Sequence, residues 1–304
     1  KIISMIGLDT LNLLINSPID IVNSNIITLG NPFLTKSIFN SNLLNPEHKR
    51  KLLSIKKEKQ IKYLFMEALG AKNIDIIDIS GEEGADYIFD FNKPITDDIC
   101  KKKYNIFLDL GTSEHIFNRN NVIENIFKLL DIGGIYLFNL PAGGQIDHGF
   151  ITFSPCFIYD FCFANRDAFS LLHLSLFQDN LKKGISTLPL YQRLDKDYKK
   201  VVDDNSNSFE INTCNLKFMT GTSYQLFNYL PYVMLLGAIQ KNKESIIDHS
   251  PMQCIYRNRS LKDIFPDSSK KVFDFKNLAR DIFINFPISA LFKLNLLIKI
   301  SKYF

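Results

Sequence analysis

Residues 104–155 read YNIFLDLGTSEHIFNRNNVIENIFKLLDIGGIYLFNLPAGGQIDHGFITFSP, and this stretch decides the fold. It begins with a short apolar run, Tyr104 to Leu110, which has no polar alternation and predicts a strand buried on both faces of a parallel sheet. An amphipathic helix follows and ends at Gly133-Gly134, and Ile135 to Leu140 predicts the next parallel strand. The order of strand, helix and strand therefore favours an open α/β sheet.

Polar residues occupy the two loops that follow these strands. Asp109, Glu114 and His115 lie on the loop after the first strand, together with Gly111, and His148 lies on the loop after the second. In an open α/β sheet, loops at the carboxyl ends of the strands are where ligands bind. The sequence thus predicts an active edge formed by these two loops.

The segments DLGTSEHIFN, LLDIGG and LPAGGQIDHGFITFSP resemble the fourth and fifth strand regions of class I S-adenosylmethionine-dependent methyltransferases. They are most similar to a subgroup of bacterial methyltransferase-domain proteins that are often associated with surface polysaccharide genes. The resemblance implies a Rossmann-like seven-stranded α/β sheet, mostly parallel with one antiparallel edge strand, and helices on both faces. It also implies S-adenosylmethionine as the cofactor and cofactor-binding roles for Asp109 and Gly111.

The strand that precedes the first cofactor loop is predicted over Ile26 to Leu29. Class I methyltransferases usually place several glycines after this strand, whereas the chain has Gly30 alone, followed by Asn31-Pro32-Phe33. The subgroup that it resembles also has a single-glycine TLG here, although it usually continues with charged residues. We expect Gly30 to let the backbone approach the cofactor closely.

Two further acidic residues are candidate cofactor ligands. Asp78 lies near the end of the strand predicted over Ile74 to Ile79, where a carboxylate can accept both ribose hydroxyls of a nucleoside. The alternative is an aspartate that caps a helix or orders a turn. The segment GADYIFDFNKP resembles the third-strand signature of the family and places Asp90 where the adenine amino group is usually met, or else as a turn residue.

A hydroxyl acceptor of a methyl group needs a base, and a histidine that titrates near neutrality suits this role. His148 and His115 are the two catalytic candidates, with a place in the cofactor pocket as the other role for His115 and a structural role as the alternative for either. Phe150 and Phe153 could line the acceptor site, and Glu114 is predicted to order its loop. No metal site is predicted, because none of the remaining histidines has a partner at ligand spacing: His48, His173 and His249.

Composition restricts the class of protein. The chain has 304 residues, 46% of them hydrophobic, which predicts a globular protein with a substantial core. A net charge of +4 is too small to indicate nucleic acid as a partner. Five cysteines without a C-x-x-C pair, and no recognisable signal peptide, favour the cytoplasm, although the first residue is Lys1 and a lost targeting segment stays open.

The predicted organisation is a methyltransferase-like domain over residues 1–243 and a C-terminal extension over residues 244–304 that packs on the core. Within the domain we predict one long helix from Pro46 to Leu69, a polar and irregular insertion over residues 181–207, and an antiparallel closing strand from Tyr232 to Gln240. No apolar run reaches the length of about 18 residues that a spanning helix needs. Residues 279–304 form either a docked helix or an amphipathic anchor that contacts a membrane peripherally.

Two functions of different class follow from these observations. The first is methyl transfer from S-adenosylmethionine to a hydroxyl of a small molecule or a saccharide, which the retained site residues favour. The second is a methyltransferase-like binding or assembly module without turnover, which the single-glycine loop and Asn105 favour, since the family commonly has an aspartate there. The sequence does not indicate an oligomeric state.

Overall fold

The computed structural model describes residues 5–16, 19–143, 148–180, 184–192 and 233–251. The chain divides into two compact units, residues 1–253 and 254–304, and all described residues belong to the first. The docked or membrane-contacting helix predicted over residues 279–304 therefore lies outside the described residues, and the packing of the extension on the core stays a prediction.

The secondary structure alternates strands and helices through most of the first unit. Two short elements, a π-helical turn over Leu64–Ala68 and a 3-10 turn over Ser113–His115, interrupt the regular ones. The helices are α1 (Leu8–Asn16), α2 (Lys36–Asn40), α3 (Pro46–Ser54), α4 (Lys57–Tyr63), α5 (Asp97–Cys100), α6 (Arg119–Leu129) and α7 (Pro155–Ala164). The strands are β1 (Met5–Ile6), β2 (Asn25–Leu29), β3 (Phe33–Leu34), β4 (Asn73–Asp78), β5 (Tyr87–Ile88), β6 (Tyr104–Asp109), β7 (Leu130–Gly143), β8 (Phe169–Asn180), β9 (Gly184–Gln192) and β10 (Val233–Lys241).

The main sheet confirms the predicted Rossmann-like α/β fold. Its strand order is β5-β4-β2-β6-β7-β10-β8-β9, and the first five of these strands are parallel. Strand β10 runs antiparallel to both of its neighbours, as predicted for the closing strand. Strands β1 and β3 form a separate two-stranded parallel sheet.

Two features of the sheet differ from the prediction. Strand β10 lies between β7 and β8 instead of at the edge, and its side chains are mostly buried because residues of the two core clusters pack on its two faces. Residues 184–192, predicted to be irregular, form the eighth strand, paired antiparallel with β8. This segment, GISTLPLYQ, contains several strand-forming residues, but the polar sequence on either side of it led to the prediction of an irregular insertion. The rest of the predicted insertion lies outside the described residues.

Helices cover both faces of the sheet because successive residues of its central strands point to opposite sides. Ile26 packs in the cluster that contains α1, α3 and α4, whereas Ile27 packs in the cluster that contains α6 and α7. The same alternation holds for Ile106 and Phe107 in β6. None of the helices within the described ranges is long and apolar enough to cross a membrane.

The single long helix predicted from Pro46 to Leu69 is wrong in one respect, because the chain breaks it after Ser54. Ile55 and Lys56 have extended backbone, with ψ of 157° and 144°. The carbonyl of Leu52 receives a hydrogen bond of 2.7 Å from the Gln60 side chain, so a buried acceptor at the break is satisfied. The hydrophobic pattern alone does not show that the helix is interrupted at these two residues.

The register of the parallel strands aligns their carboxyl ends. Leu29, the last residue of β2, pairs with Ile77 of β4 on one side and with Asp109 of β6 on the other. Gly30, Asp78 and the loop after Asp109 therefore leave the sheet at the same level. This edge is the one at which the sequence predicts ligand binding.

Candidate functional site

A cavity of about 590 Å³ lies at the carboxyl ends of β2, β4 and β5. Four of the residues predicted from the sequence line it: Gly30, Asp78, Asp90 and His115. Apolar side chains such as Leu29, Ile79, Phe89 and Phe91 form part of its wall. A concave site of this size with a few polar groups is typical of small-molecule binding.

Gly30 lies at the base of this cavity, where the carboxyl ends of β2, β4 and β6 meet. Its φ of +76° lies in the left-handed region, and a Cβ at this position would lie 2.8 Å from the Thr112 hydroxyl oxygen and 3.6 Å from Asp78 Oδ2. Thr112 in turn donates a 2.9 Å hydrogen bond to the Leu29 carbonyl. Both the backbone conformation and the close approach therefore require glycine, and Thr112 is a site residue that the sequence analysis missed.

Asp78 orders a turn through one carboxylate oxygen, and its other oxygen accepts no hydrogen bond within the described residues. Its Oδ1 accepts a hydrogen bond of 2.9 Å from the Ser80 backbone N–H. Its Oδ2 accepts none from the part of the chain that the structure describes, and the residue lines the cavity. The turn interpretation and a ligand-binding interpretation are thus compatible, because they use different oxygens.

Asp90 is held in the same way at the cavity wall. Its Oδ1 accepts hydrogen bonds from the backbone N–H and the side-chain amide of Asn92, at 2.9 and 3.0 Å. These bonds, together with the charge of Lys93, keep the pKa of the Asp90 carboxyl below its ordinary value. Asp90 is therefore a charged turn residue beside the cavity, and its contact with a cofactor stays a prediction.

Asp109 and Gly111 do not line the cavity. Asp109 is fully buried, and its Oδ1 accepts hydrogen bonds from the backbone N–H groups of Thr112 and Ser113 at 3.3 and 3.2 Å. Its Oδ2 accepts one from the Tyr136 hydroxyl at 3.0 Å. The structure thus places Asp109 under the loop that carries Glu114 and His115, where it orders the backbone.

Glu114, His115 and His148 form one cluster beside the cavity. Glu114 Oε1 lies 3.5 Å from His148 Nε2 and 3.8 Å from His115 Nε2, and the two imidazole rings are 5.0 Å apart. Burial, with a contribution from the charge of Asp109, raises the pKa of Glu114 to about 8. Burial, with a contribution from the charge of His148, lowers the pKa of His115, so its imidazole is neutral at physiological pH.

Gly149 explains how His148 reaches this cluster. The backbone N–H of Phe150 donates a 2.9 Å hydrogen bond to the Glu114 carbonyl. A Cβ on Gly149 would lie 2.9 Å from that carbonyl oxygen and 3.0 Å from Glu114 Cγ. The two loops therefore touch through backbone, which only glycine permits at this distance, and the HG pair in the sequence was the available signal.

The aromatic residues after His148 separate into two groups. Phe150 is 69% exposed and packs edge-on against Phe117 at 5.8 Å, so these two rings form an apolar rim near the cluster. Phe153 is only 2% exposed and carries the Arg119 guanidinium 4.7 Å above its ring. The hypothesis that Phe153 lines the acceptor site is therefore wrong. The sequence analysis did not predict the contact of Phe117 with Phe150 or that of Arg119 with Phe153.

The expectation of no metal site stays a prediction, although one group of side chains bears on it. Within the described ranges, Glu114, His115 and His148 are a group whose ligand atoms all lie within 4.8 Å of one another. The other histidines each have a protein partner: Tyr63 for His48, Ser175 for His173 and Glu124 for His249. The sequence analysis did not group these three residues because Glu114 was interpreted only as a residue that orders its loop.

Comparisons with known proteins give similarities to solved structures alone. No protein-family model and no curated protein sequence matches the chain. The chain is similar to StiE O-MT residues 961–1257, with 12% identity, a TM-score of 0.39, and coverage of 78% of this chain and 74% of that one.

Two further solved structures contain S-adenosylhomocysteine. For the N-methyltransferase NodS from Bradyrhizobium japonicum, the identity is 10%, the TM-score 0.38 and the coverage 77% of this chain and 85% of that one. For a methyltransferase from Geobacter sulfurreducens, the values are 12%, 0.36, 78% and 92%. These are likenesses of fold.

Substituting Gly30 tests the junction of strands at the cavity base. Gly30→Ala is expected to lower the free energy of unfolding by more than the roughly 1–2 kcal/mol that a left-handed φ costs an L-residue, because its Cβ also meets Thr112. Gly84→Ala is the matched control, since Gly84 has a φ of +79° with no atom within 4 Å of its Cβ. Equal losses for the two variants in urea unfolding would contradict the close approach.

Proposed function

We propose that this protein transfers the methyl group of S-adenosylmethionine to a hydroxyl of a small molecule or a saccharide. The observation that carries the proposal is the position of His115, which lines the cavity and also belongs to the cluster with Glu114 and His148. A cavity suited to a nucleoside thus adjoins a group of residues that can accept a proton.

The residues of the cavity fit the cofactor. Asp78 Oδ2 is an acceptor suited to the ribose hydroxyls, and Gly30 lines the cavity beside it. Asn31 is buried, and its side-chain oxygen has no hydrogen-bond partner within the described residues. This oxygen can therefore accept a hydrogen bond from the ammonium group on the methionine part of the cofactor. The apolar wall near Phe89 and Phe91 suits the adenine ring, with Asp90 beside it.

Methyl transfer needs orientation, exclusion of water and removal of one proton. When bound, S-adenosylmethionine supplies an electrophilic methyl group on a sulfonium. The acceptor oxygen forms a bond to that carbon as the carbon–sulfur bond breaks, and the hydroxyl proton passes to an imidazole of the cluster. His115, which is neutral, and His148, which is 39% exposed, are the two candidates for this role.

The compartment and the acceptor are part of the proposal. Cys100 and Cys162 carry free thiols, which supports the cytoplasm as the compartment. The exposed pair of Phe117 and Phe150 offers an apolar surface on which a sugar or aromatic ring can stack. A role in surface polysaccharide synthesis rests on the resemblance of the sequence motifs.

A binding module without turnover is the second candidate. Only two residues separate Gly30 from β3, and β3 pairs with β1, so the loop available to the cofactor is short. Asn105, at the position where the family commonly has an aspartate, uses its side-chain oxygen to accept a hydrogen bond from the Asn25 backbone at 2.9 Å. These features favour a structural role for parts of the site.

Asp78→Ala tests the proposed cofactor contact. Loss of a hydrogen bond to a charged group should cost about 1.5–3 kcal/mol, which weakens S-adenosylhomocysteine binding roughly tenfold to a hundredfold. Titration calorimetry measures the dissociation constant directly. Asp98→Ala, which removes an exposed carboxylate outside the cavity, is the control and should bind as the wild type does. An unchanged dissociation constant in Asp78→Ala would remove the ribose assignment.

His148→Asn tests the role of the cluster in turnover. We expect cofactor affinity to stay within about twofold while single-turnover methyl transfer to an identified acceptor falls by roughly 10²-fold or more, the scale of losing a general base. His249→Asn, which removes the contact with Glu124 outside the cluster, is the control. Should turnover persist while cofactor affinity collapses, His148 belongs to the cofactor site.

A further inference from the structure

We propose that Glu114, His115 and His148 bind one divalent transition-metal ion of the zinc or cobalt class. The three residues come from two loops that the fold brings to the same edge of the sheet, and each offers one ligand atom within 4.8 Å of the others. Binding of the ion by these residues does not depend on the proposed methyl transfer.

The spacing of the ligand atoms suits an ion better than hydrogen bonds. With metal–ligand distances of about 2.0–2.2 Å, the ligand atoms of a tetrahedral site lie roughly 3.3–3.6 Å from one another. Glu114 Oε1 and His148 Nε2 are already 3.5 Å apart, and the 3.8 Å between Glu114 Oε1 and His115 Nε2 needs a shift of a few tenths of an ångström. Both distances exceed the usual 2.7–3.2 Å of an N–H···O hydrogen bond.

The polar atoms of the cluster lack other partners in the described part of the chain. Glu114 is fully buried, and neither of its carboxylate oxygens accepts a hydrogen bond. The Nε2 atom of His115 is buried and also has no partner. Arg119, whose charge acts on Glu114, donates to the Ser113 carbonyl and stacks on Phe153 instead. A buried carboxyl without a partner is costly, and a cation would satisfy it.

Backbone contacts hold two of the ligands in place without an ion. Asp109 orders the turn before Glu114 by accepting from two backbone N–H groups. The Phe150 N–H and the close approach of Gly149 hold His148 against Glu114. In metal sites, contacts between the ligands and the residues around them orient the ligands and contribute to the affinity for the ion.

The ligand types select the class of ion. Two imidazole nitrogens and one carboxylate suit zinc and its neighbours in the first transition series, whereas magnesium and calcium prefer oxygen ligands. Three protein ligands leave at least one position open for water or a hydroxyl. If the proposed function also holds, a bound ion would occupy the imidazole nitrogens that otherwise accept the proton, and it would instead lower the pKa of an acceptor hydroxyl at its open position, whose proton would pass to water.

The test uses the full-length chain, stripped with a chelator and titrated with Zn²⁺ by calorimetry and with Co²⁺ by visible absorption. We expect one ion per chain, a Co²⁺ absorption band typical of imidazole and carboxylate ligands, and no competition from millimolar Mg²⁺. Glu114→Gln and His148→Ala should each weaken binding at least tenfold, and Gly149→Ala should weaken it through the position of His148. His48→Ala and His249→Ala are the controls.

The outcomes separate the metal site from the proposed function. No saturable Zn²⁺ or Co²⁺ binding, or binding that persists in both Glu114→Gln and His148→Ala while these variants unfold at wild-type temperatures, overturns the inference. If a variant fails to fold, the Co²⁺ spectrum of the wild type decides whether imidazole ligands are present. Titration of the same preparations with S-adenosylhomocysteine tests the proposed function independently, so one can fail while the other stands.

Discussion

The alignment of the carboxyl ends of β2, β4 and β6 is the constraint on which the rest of this structure depends. Leu29 pairs with both Ile77 and Asp109, so the chain leaves the three strands at one level. Gly30 then passes within contact distance of Thr112 and Asp78, and a side chain there would separate them. A shift of one residue in any of these strands would reverse which side chains face the core and would dismantle the edge.

The second level of organisation is a buried polar arrangement under the loop after β6. Both carboxylate oxygens of Asp109 accept hydrogen bonds, one from the loop backbone and the other from the Tyr136 hydroxyl. Glu114, a few residues later, has no hydrogen-bond partner for its carboxylate within the described ranges, although it is equally buried. One carboxylate thus stabilises the fold, while the other is costly to bury and is the kind of feature that functional sites retain.

Much of the fold follows from local sequence pattern, because a strand buried on both faces needs a continuous apolar run. Tyr104 to Leu110 predicted β6 to within a residue, and the predicted adjacency of the loops that carry His115 and His148 is found in the structure. The position of β10 inside the sheet and the partner of Gly149 depend on pairing between distant segments, which local pattern does not encode. Phe153 was misplaced for the same reason, since burial under Arg119 is a tertiary contact.

We propose that the cavity at this edge binds a nucleoside cofactor beside a proton-accepting cluster. Titration calorimetry of the wild-type chain with S-adenosylmethionine and S-adenosylhomocysteine tests it most directly. We expect saturable binding of both compounds with one molecule per chain. Heat of dilution alone, at protein concentrations that would detect a dissociation constant of about 1 mM, would contradict it and favour the binding module without turnover.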